Sequence, residues 1–527
     1  MLDGRSRPYG SKVSLRGGDL QARRRSAAQT HGDAAAARRR RPPRHRASRL
    51  LVLALSLLAR LLFRPYDTSA SLQPSCLRSP SPLSSPFTNL SAAISSLAVW
   101  DGVHFARAAE CGYEYEQSFA FLPASSRLAR PPHPIPAVLV ISGYVLNNIA
   151  FVAAAAYFYR LSMLILKDQK AAYRASVLFC FNPASVFYSS LYSESLYALF
   201  SLGGMFYLFS GANAVAMIML ALSGSARSNG ALNAGHFCFQ ALLQTYDSVI
   251  QKKRPLVSST LVFVVHRTIW PVKILVTAAL RSIFIFLPFF AFQAYGYFNI
   301  CLHGSSEDLR PWCKAKVPLL YGFIQSHYWG VGFLRYFQVK QLPNFLLASP
   351  VLSLAIYSIV HYTKMLHHLF QSTSIHKQIV TSVGEISIDS YKLADVATVL
   401  KSEHSAGPTN KAQGQPEVKQ RKSAAAEMVS ASVSDSRNLI GNLNECSILY
   451  LPFVLHLAFM TVTAFFVIHV QVSTRFLSAS PPVYWAASHI LGSPSHSSKR
   501  WSNLIYAYFT AYILLGSLLF SNFYPFT

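Results

Sequence analysis

The sequence predicts an all-α polytopic membrane protein with about eight to ten transmembrane helices. Of its 527 residues, 52% are hydrophobic and 13% are charged, whereas about a quarter are charged in a soluble domain. The mean hydropathy is +0.28. Helices satisfy their backbone within one segment, and no ten-residue alternation suggests a barrel. The apolar runs that approach or exceed spanning length are Leu50–Phe63, Ala137–Tyr159, Tyr173–Phe209 with a break, Ala214–Phe239, Val272–Phe298, Phe345–Tyr362, Leu449–Val472 and Leu504–Phe520.

Much of the net charge of +27 lies in residues 1–49, which hold fourteen Lys or Arg against three Asp. This composition cannot bury a core, so we expect a disordered basic tail. A basic tail before the first apolar run, which starts at Leu50, places the N-terminus in the cytosol. An Arg-rich transit peptide is the alternative. Because this excess of charge precedes a membrane anchor, we expect no nucleic-acid partner.

Two further changes in composition divide the rest of the chain. Residues 363–445 are rich in Ser, Ala, Lys, Glu and Gln and show no apolar periodicity, so we expect a disordered cytosolic loop. On either side lie a membrane domain, residues 50–362, and C-terminal transmembrane segments, residues 446–527. Within the membrane domain, residues 65–136 are the predicted acidic luminal loop.

The luminal loop contains "WDGVHFARAAECGYEYEQSFAFLP", residues 100–123, where acids, a histidine and aromatic rings gather in an otherwise apolar chain. Read as a helix, this segment places Asp101, His104 and Ala108 along one side. One interpretation is an interfacial amphipathic helix whose charges face water. The other is an acidic site at the membrane surface, with Asp101 as its base and Glu110 as a further candidate.

Two features indicate an oxidising, luminal side of the membrane. Cys301 and Cys313 flank a polar loop that has no neighbouring His or Cys at zinc-ligand spacing, which favours a disulfide. Asn89 begins the one glycosylation sequon, Asn-Leu-Ser, just upstream of the acidic segment. Together with a cytosolic N-terminus, these features place both loops in the lumen.

Further polar side chains lie within or at the ends of apolar runs, where an ionisable group is costly and usually faces a partner or a pathway. Arg227 could instead snorkel to the lipid headgroups, and His327 and Trp329 could belong to an interfacial aromatic belt. The pair Asn182-Pro183 breaks a helix nearby. The candidate substrate-binding residues are His104, Glu110, Glu194, Arg227, Asn229, His327, Trp329, Arg335, Gln471 and Arg475.

If these groups converge at one membrane surface, they suit glycosyl transfer from a lipid phosphate. Asp101 would take a proton from an acceptor hydroxyl, and Arg227, Arg335 or Arg475 would stabilise the departing phosphate. Aromatic side chains would provide platforms for sugar rings. Because arginine alone can match a leaving monophosphate, we expect no metal ion and no other cofactor.

Five blocks of sequence, in order, resemble the GPI mannosyltransferase II family (PIG-V-like). They are "WD" with "HFARAAECGYEYEQSFAFLP", "FNPASVFYSSLYSESLYALFS", "ARSNG", "IQSHYWGVGFLRYFQVKQLPNFLLASPV" and "HVQVSTRFLSASPPVYW". The resemblance implies a GT-C glycosyltransferase of the endoplasmic reticulum membrane. Such an enzyme takes mannose from dolichyl-phosphate-mannose and adds the second mannose, in α-1,6 linkage, to the GPI-precursor glycolipid. It also implies that Asp101, which matches the aspartate of the family's first luminal loop, is catalytic, and it leaves room for an accessory membrane subunit.

One segment departs from the family pattern. Where the family continues into another apolar span, residues 124–136 read "ASSRLARPPHPIP", which is too polar and Pro-rich to cross. Counted from a cytosolic N-terminus, the crossings then put the Cys301–Cys313 loop in the cytosol, where a disulfide should not persist. We therefore predict that this chain lacks one spanning helix, with a re-entrant pair around Asn182-Pro183 as the alternative.

Three other functions stay open at the level of sequence. A transporter also uses broken helices and buried arginines, although we find no inverted repeat between the halves. A non-catalytic subunit of a glycosyltransferase complex would not need Asp101. Another dolichyl-phosphate-mannose-dependent transferase, acting on a different acceptor, would use the same chemistry.

Overall fold

The computed structural model describes residues 45–66, 88–130, 136–250, 260–302, 310–368, 371 and 448–526. All regular structure in these ranges is helical, and they contain no β-strand. The predicted all-α class is therefore confirmed. The predicted basic tail up to residue 44 and the predicted cytosolic loop from residue 372 onward lie outside the described residues.

Helices of very different length alternate along the described chain, joined in places by 3₁₀ turns. In chain order they are α1 His45–Leu62, α2 Thr88–Ser95, α3 Asp101–Cys111, α4 Pro123–Ala129, α5 Pro136–Leu166, α6 Gln169–Cys180, α7 Ser185–Ser189, α8 Glu194–Phe209, α9 Asn213–Ala226, α10 Ala234–Ile250, α11 Thr260–Cys301, α12 Leu320–His327, α13 Val339–His368, α14 Leu451–Phe466, α15 Ser473–Phe476, α16 Pro481–Gly492 and α17 His496–Ser521.

Four of the described helices are long and apolar enough to cross a bilayer: α5, α11 from Trp270 onward, α13 and α17. Helices α9 and α14 are shorter apolar helices. On α11, Leu280 and Ile283 are exposed at the protein surface, as side chains that face lipid would be. The chain is a multi-pass membrane protein, and the larger count of about eight to ten crossings stays a prediction. Because α13 continues to His368, the predicted domain boundary at residue 362 is too early.

A break between α6 and α8 interrupts what sequence hydropathy shows as one apolar run. Pro183 cannot donate a backbone hydrogen bond, and regular α-helix of full length resumes only at Glu194. The buried side chain of Asn147, on α5, donates to the carbonyl oxygens of Ser190 at 2.5 Å and Tyr192 at 2.9 Å. The non-helical residues before Glu194 therefore have hydrogen-bond partners although they lie in the protein interior.

Arg49 of α1 closes the other side of this break. Its side chain is buried, lies over the Phe151 ring at 3.8 Å, and donates to the carbonyl oxygens of Cys180 at 2.9 Å and Ser185 at 3.0 Å. The Cys180 oxygen is free to accept because α6 ends there. Helix α1 begins at His45, so the predicted end of the tail at residue 49 is a few residues too late. Arg49 can be buried in this helix because its hydrogen bonds compensate the loss of water.

The acidic segment predicted from sequence folds into α3, the 3₁₀ turn Glu116–Ala120 and α4. Phe105 of α3 meets Phe121 edge to face, with ring centroids 5.2 Å apart, and both pack with Leu191 in one small core. This core holds α3 against the segment that precedes α8. Helix α4 is short, in agreement with the polar residues 124–136, and the absence of one family span stays a prediction.

Cys301 and Cys313 form the predicted disulfide, with their Cα atoms 5.7 Å apart. The bond ties the end of α11 to the 3₁₀ turn Pro311–Lys314, in which Trp312 is buried. The predicted pairing is therefore confirmed. The luminal orientation of this loop stays a prediction, as does glycosylation of Asn89, which is exposed on α2.

Candidate active site

A polar cavity of about 380 Å³ opens where α3, the start of α8, the end of α9, α12 and the segment around α15 converge. Charged side chains and aromatic rings share its walls. The lining includes Asp101, His104, Phe121, Tyr192, Glu194, Arg227, Asn229, Tyr321, Gln325, Trp329, His469, Gln471 and Arg475.

Asp101 is the first residue of α3 and lies at the edge of the cavity. The residue before it, Trp100, has a φ of 52°, in a region that bulky residues rarely occupy. Two contacts hold this strained turn. The Trp100 ring lies 6.0 Å from that of Phe523, centroid to centroid, and the N–H of Asp101 donates to the hydroxyl of Tyr192 at 3.0 Å. The Asp101 side chain stays 35% exposed, so a ligand in the cavity can reach it.

Two carboxylates and two arginines alternate inside the cavity. Nη1 of Arg475 donates to Oδ2 of Asp101 at 2.7 Å and lies 3.8 Å from Oε1 of Glu194. Nη1 of Arg227 donates to the same Oε1 atom. We call Asp101, Glu194, Arg227 and Arg475 the charged quartet. Its formal charges cancel, and each ionised group has an opposite partner, which burial of charge requires.

The members of the charged quartet differ in their access to water. The side chain of Glu194 is 2% exposed and that of Arg475 is 20% exposed. Burial alone lowers the pKa of Arg475, but Asp101 and Glu194 outweigh burial and raise it above its ordinary value. Arg475 is therefore a permanent cation, and the rings of Phe187 and Tyr192 flank it at 5.4 and 5.7 Å. An anion that enters the cavity meets a charge that is already in place.

A tight turn after α9 presents Arg227 and Asn229 to the cavity. The chain becomes extended at Arg227 and then forms a 3₁₀ turn. Gly230 packs so closely on the backbone of Ser223 that a Cβ atom would not fit. Nδ2 of Asn233 donates to Oγ of Ser223 at 3.0 Å and closes the turn from the far side. The block "GSARSNG" is therefore a folded-back turn with two side chains in the site.

His104, Phe121 and Trp329 form what we call the aromatic wall. The His104 ring stacks on Phe121 with centroids 4.6 Å apart, and Phe121 meets Trp329 edge to face at 6.2 Å. Nε2 of His469 lies 2.7 Å from the carbonyl oxygen of Trp329. Burial lowers the pKa of His104, and the charge of Asp101 opposes this only in part. The wall therefore offers a neutral imidazole beside two apolar rings.

Outside the cavity lining, Glu116 ties the acidic segment to the chain that follows α11. Its Oε1 accepts from Nε1 of Trp312 at 2.5 Å, its Oε2 accepts from the hydroxyl of Tyr328 at 2.6 Å, and Arg310 lies 3.8 Å away. We call Glu116, Trp312 and Tyr328 the Glu116 cluster. It ties the 3₁₀ turn Glu116–Ala120 to the chain that follows α11.

The structure brings eight of the predicted site residues into one cavity: Asp101, His104, Glu194, Arg227, Asn229, Trp329, Gln471 and Arg475. Three others lie outside it. Glu110 is nine residues beyond Asp101 on α3, and nine residues turn a helix by two and a half turns, so it projects from the opposite side. His327 stacks on Phe323 with centroids 4.8 Å apart, and Arg335 is exposed.

Four polar cavity residues were not among the candidate site residues, although three of them lie within the sequence blocks quoted above: Tyr192, Tyr321, Gln325 and His469. Tyr192 and His469 each lie two residues from a predicted site residue, and that proximity is the signal that could have found them. Tyr321 and Gln325 reach the cavity one turn apart on α12. Among the described residues, no group of three or more His, Cys, Asp or Glu side chains is placed to hold a metal ion.

The fold and the cavity together define a class of protein. A multi-pass helical membrane protein that places a reachable carboxylate, two arginines and an aromatic wall in one cavity has the parts of a membrane-embedded glycosyltransferase. The carboxylate can accept a proton, the arginines can hold a phosphate, and the rings can contact a sugar.

Sequence comparison identifies the particular family. The family model for Mannosyltransferase (PIG-V) matches residues 46–527, so the chain belongs to the PIG-V mannosyltransferase family. It is 28% identical to GPI alpha-1,6-mannosyltransferase 2 of Homo sapiens over 501 residues, which cover 82% of this chain and 88% of the relative. The Mus musculus protein of the same name is 27% identical over 549 residues, covering 91% and 96%. GPI mannosyltransferase 2 of Drosophila pseudoobscura pseudoobscura is 28% identical over 456 residues, covering 82% and 87%. No solved structure matches the chain.

Proposed function

We propose that this chain transfers mannose from dolichyl-phosphate-mannose to the GPI-anchor precursor, as the second mannose and in α-1,6 linkage, in the endoplasmic reticulum membrane. Family membership and the names of the relatives support the reaction type and the glycolipid acceptor. In the structure, the observation that carries the proposal is the charged quartet, in which a reachable carboxylate and two arginines share one cavity.

In the proposed reaction, the oxygen of the acceptor hydroxyl attacks C1 of the donor mannose while the bond from C1 to the phosphate oxygen breaks. Asp101 takes the proton of the hydroxyl, and dolichyl phosphate leaves with the electron pair of the broken bond. Asp101 suits this task because its carboxylate lies at the cavity edge and remains partly exposed. General-base assistance of this kind contributes roughly 10²–10⁴-fold to a rate.

The arginines have two tasks in this scheme. Arg475 bonds to Asp101 in the structure, and its Nε atom is buried with no partner among the described residues. A donor phosphate would compete for Arg475, take over its N–H groups and release Asp101 to act as the base. Glu194 and Arg227 would stay paired and keep the second cation beside the leaving phosphate. Binding of the donor would thereby make the base available.

The donor itself brings an activated sugar, and arginine can match the charge of the leaving phosphate. The proposal therefore includes neither a metal ion nor another cofactor. Activity that persists in excess EDTA is the expected result. Loss of activity in EDTA, restored by a divalent cation, would contradict this part of the proposal.

The decisive test uses cells that lack the second mannosyl transfer and accumulate its glycolipid substrate. Expression of this chain should restore GPI-anchored proteins at the surface, and the accumulated precursor should gain one mannose. The Asp101→Asn variant, expressed at the same level, is the control. Equal rescue by that variant would favour a non-catalytic subunit. Movement of the mannolipid across proteoliposomes without mannosyl transfer would favour a transporter.

A further inference from the structure

We propose that Asn229 binds two hydroxyl groups of the hexose that the donor transfers, and that it selects the donor sugar in this way. The inference rests on the proposed function and deepens it, because it assigns the sugar-reading side chain of the same cavity.

Asn229 is a buried amide without a protein partner. It is 7% exposed and lines the cavity, yet neither its Nδ2 nor its Oδ1 hydrogen-bonds to any described residue. Buried polar side chains in proteins almost always have a partner, and an unpaired one destabilises the fold. An amide kept in this position is therefore explained by a ligand that pairs with it.

A second asparagine in the same turn has a structural role: its Nδ2 is paired, although its Oδ1, like that of Asn229, has no partner among the described residues. Asn233 is fully buried, and its Nδ2 donates to Oγ of Ser201 at 2.9 Å and to Oγ of Ser223 at 3.0 Å. These bonds tie the turn to α8 and α9. Asn229 makes no such bond, so the turn does not need its amide for folding.

The chemistry of the amide identifies its ligand. An amide presents one donating and one accepting group side by side, whereas a phosphate only accepts and would leave Oδ1 unpaired. Two hydroxyls on neighbouring sugar carbons can satisfy both groups at once. Asn229 lies two residues after Arg227, a cation of the charged quartet, and the donor hexose is bonded directly to the phosphate that these cations would hold. The transferred hexose is therefore the sugar within reach.

The test replaces the amide with an apolar group of similar size. We expect Asn229→Leu, in the full-length protein in proteoliposomes, to keep or raise the thermal midpoint because it removes unpaired polar atoms. We also expect kcat/KM for dolichyl-phosphate-mannose to fall about 10- to 100-fold, the size expected for two lost hydrogen bonds. The matched control is Asn233→Leu, which should lower the thermal midpoint because it removes the hydrogen bonds to Ser201 and Ser223, and whose remaining activity should keep its discrimination among donor sugars.

Donors that lack one hydroxyl of the mannose give the second readout. The unmutated chain should discriminate against the two deoxy donors that lack one or the other of the neighbouring hydroxyls bound by Asn229, and Asn229→Leu should lose both discriminations and keep the others. If Asn229→Leu fails to fold, Asn229→Ala provides the same comparison.

Three results would overturn the assignment: unchanged kcat/KM in the variant, equal loss with every deoxy donor, or loss of discrimination among acceptors only. An unmutated chain that transfers no mannose would instead refute the proposed function, and this inference with it.

Discussion

The charged quartet and the Glu116 cluster both centre on a buried carboxylate, but they treat it in opposite ways. Both oxygens of Glu116 accept hydrogen bonds from neutral donors, the indole of Trp312 and the hydroxyl of Tyr328. Glu194 is buried to a similar degree. It faces two arginines through one oxygen, and its Oε2 has no partner among the described residues.

This difference separates a carboxylate that holds the fold from carboxylates that can work with a ligand. One neutral donor at a fixed position holds each oxygen of Glu116, Arg310 lies 3.8 Å from Oε2, and the side chain lies outside the cavity lining. Arginine can exchange one anion for another through the same planar donor set, so the quartet can open to admit a phosphate. The partners of an acid, rather than its charge or burial, therefore indicate its role.

The largest effect should come from Asp101→Asn. The amide keeps the shape of the side chain and can still accept from Arg475, but it cannot take a proton. We expect kcat per folded molecule to fall roughly 10²–10⁴-fold. The matched control is Glu116→Gln, the same change of acid to amide in the Glu116 cluster, which should leave kcat nearly intact. Full mannosyl transfer by Asp101→Asn would refute its assignment as the base.

Arg475→Lys and Arg227→Lys should come next. Lysine keeps the charge but cannot reproduce the planar, two-pronged contact with a carboxylate or phosphate. We expect a loss on the order of 10²-fold in kcat/KM at the position that contacts the donor phosphate. Arg107→Lys is the control, because Arg107 pairs with Glu114 near the surface. Full activity in both quartet variants would mean that neither arginine acts on the donor.

Loss of the disulfide should affect stability rather than chemistry. The bond holds Trp312 in the Glu116 cluster, and we expect the double variant Cys301→Ser, Cys313→Ser to lose roughly 2–4 kcal/mol of stability. In intact membranes, thiol reagents should label neither cysteine until reductant is added. Labelling of either one from the cytosolic side, without reductant, would contradict both the bond and the luminal orientation.

Glu116→Ala should have a smaller effect of the same kind. It leaves the indole N–H of Trp312 and the hydroxyl of Tyr328 without their acceptor, at a cost of about 1–3 kcal/mol. The thermal midpoint should fall, and kcat per folded molecule should change little. A loss of kcat as large as that of Asp101→Asn, with the fold intact, would remove the distinction between the two regions.

The smallest effect concerns pH. Because burial lowers the pKa of His104 in the folded chain, the unfolded chain takes up this proton first as the pH falls below 6.5. Stability is therefore lost as the pH drops from neutral through 6.5 toward the folded pKa. His104→Phe keeps a ring on Phe121 and removes this contribution. The thermal midpoint of the variant should fall less on acidification, and an equal fall would show that His104 is not the group responsible.

Hydropathy was enough to predict long apolar helices such as α5, α11 and α17, because crossing a bilayer imposes a length and an apolar composition that the sequence records directly. The spacing and context of Cys301 and Cys313 were enough to predict their disulfide. Asp101 was conspicuous for a related reason, since an acid in so apolar a chain needs an explanation.

Glu110 and Glu116 show where such prediction stops. Both acids lie in the same segment, and the sequence pointed to Glu110, which faces away from the cavity. Glu116 bonds to Trp312, 196 residues further along the chain, and Asp101 bonds to Arg475 across 374 residues. The local sequence pattern does not show which distant side chain will contact a given acid. The partners of Glu116 and Asp101 could therefore not be predicted from the sequence.

Arg49 has a practical consequence for anyone who produces this protein. Its guanidinium fastens α1 to the ends of the broken helix that leads to Glu194. A shortened version that starts after residue 49 would remove this fastening and leave backbone oxygens without partners inside the protein. N-terminal deletions should therefore keep His45 and all residues after it, and an affinity tag should be attached upstream of His45.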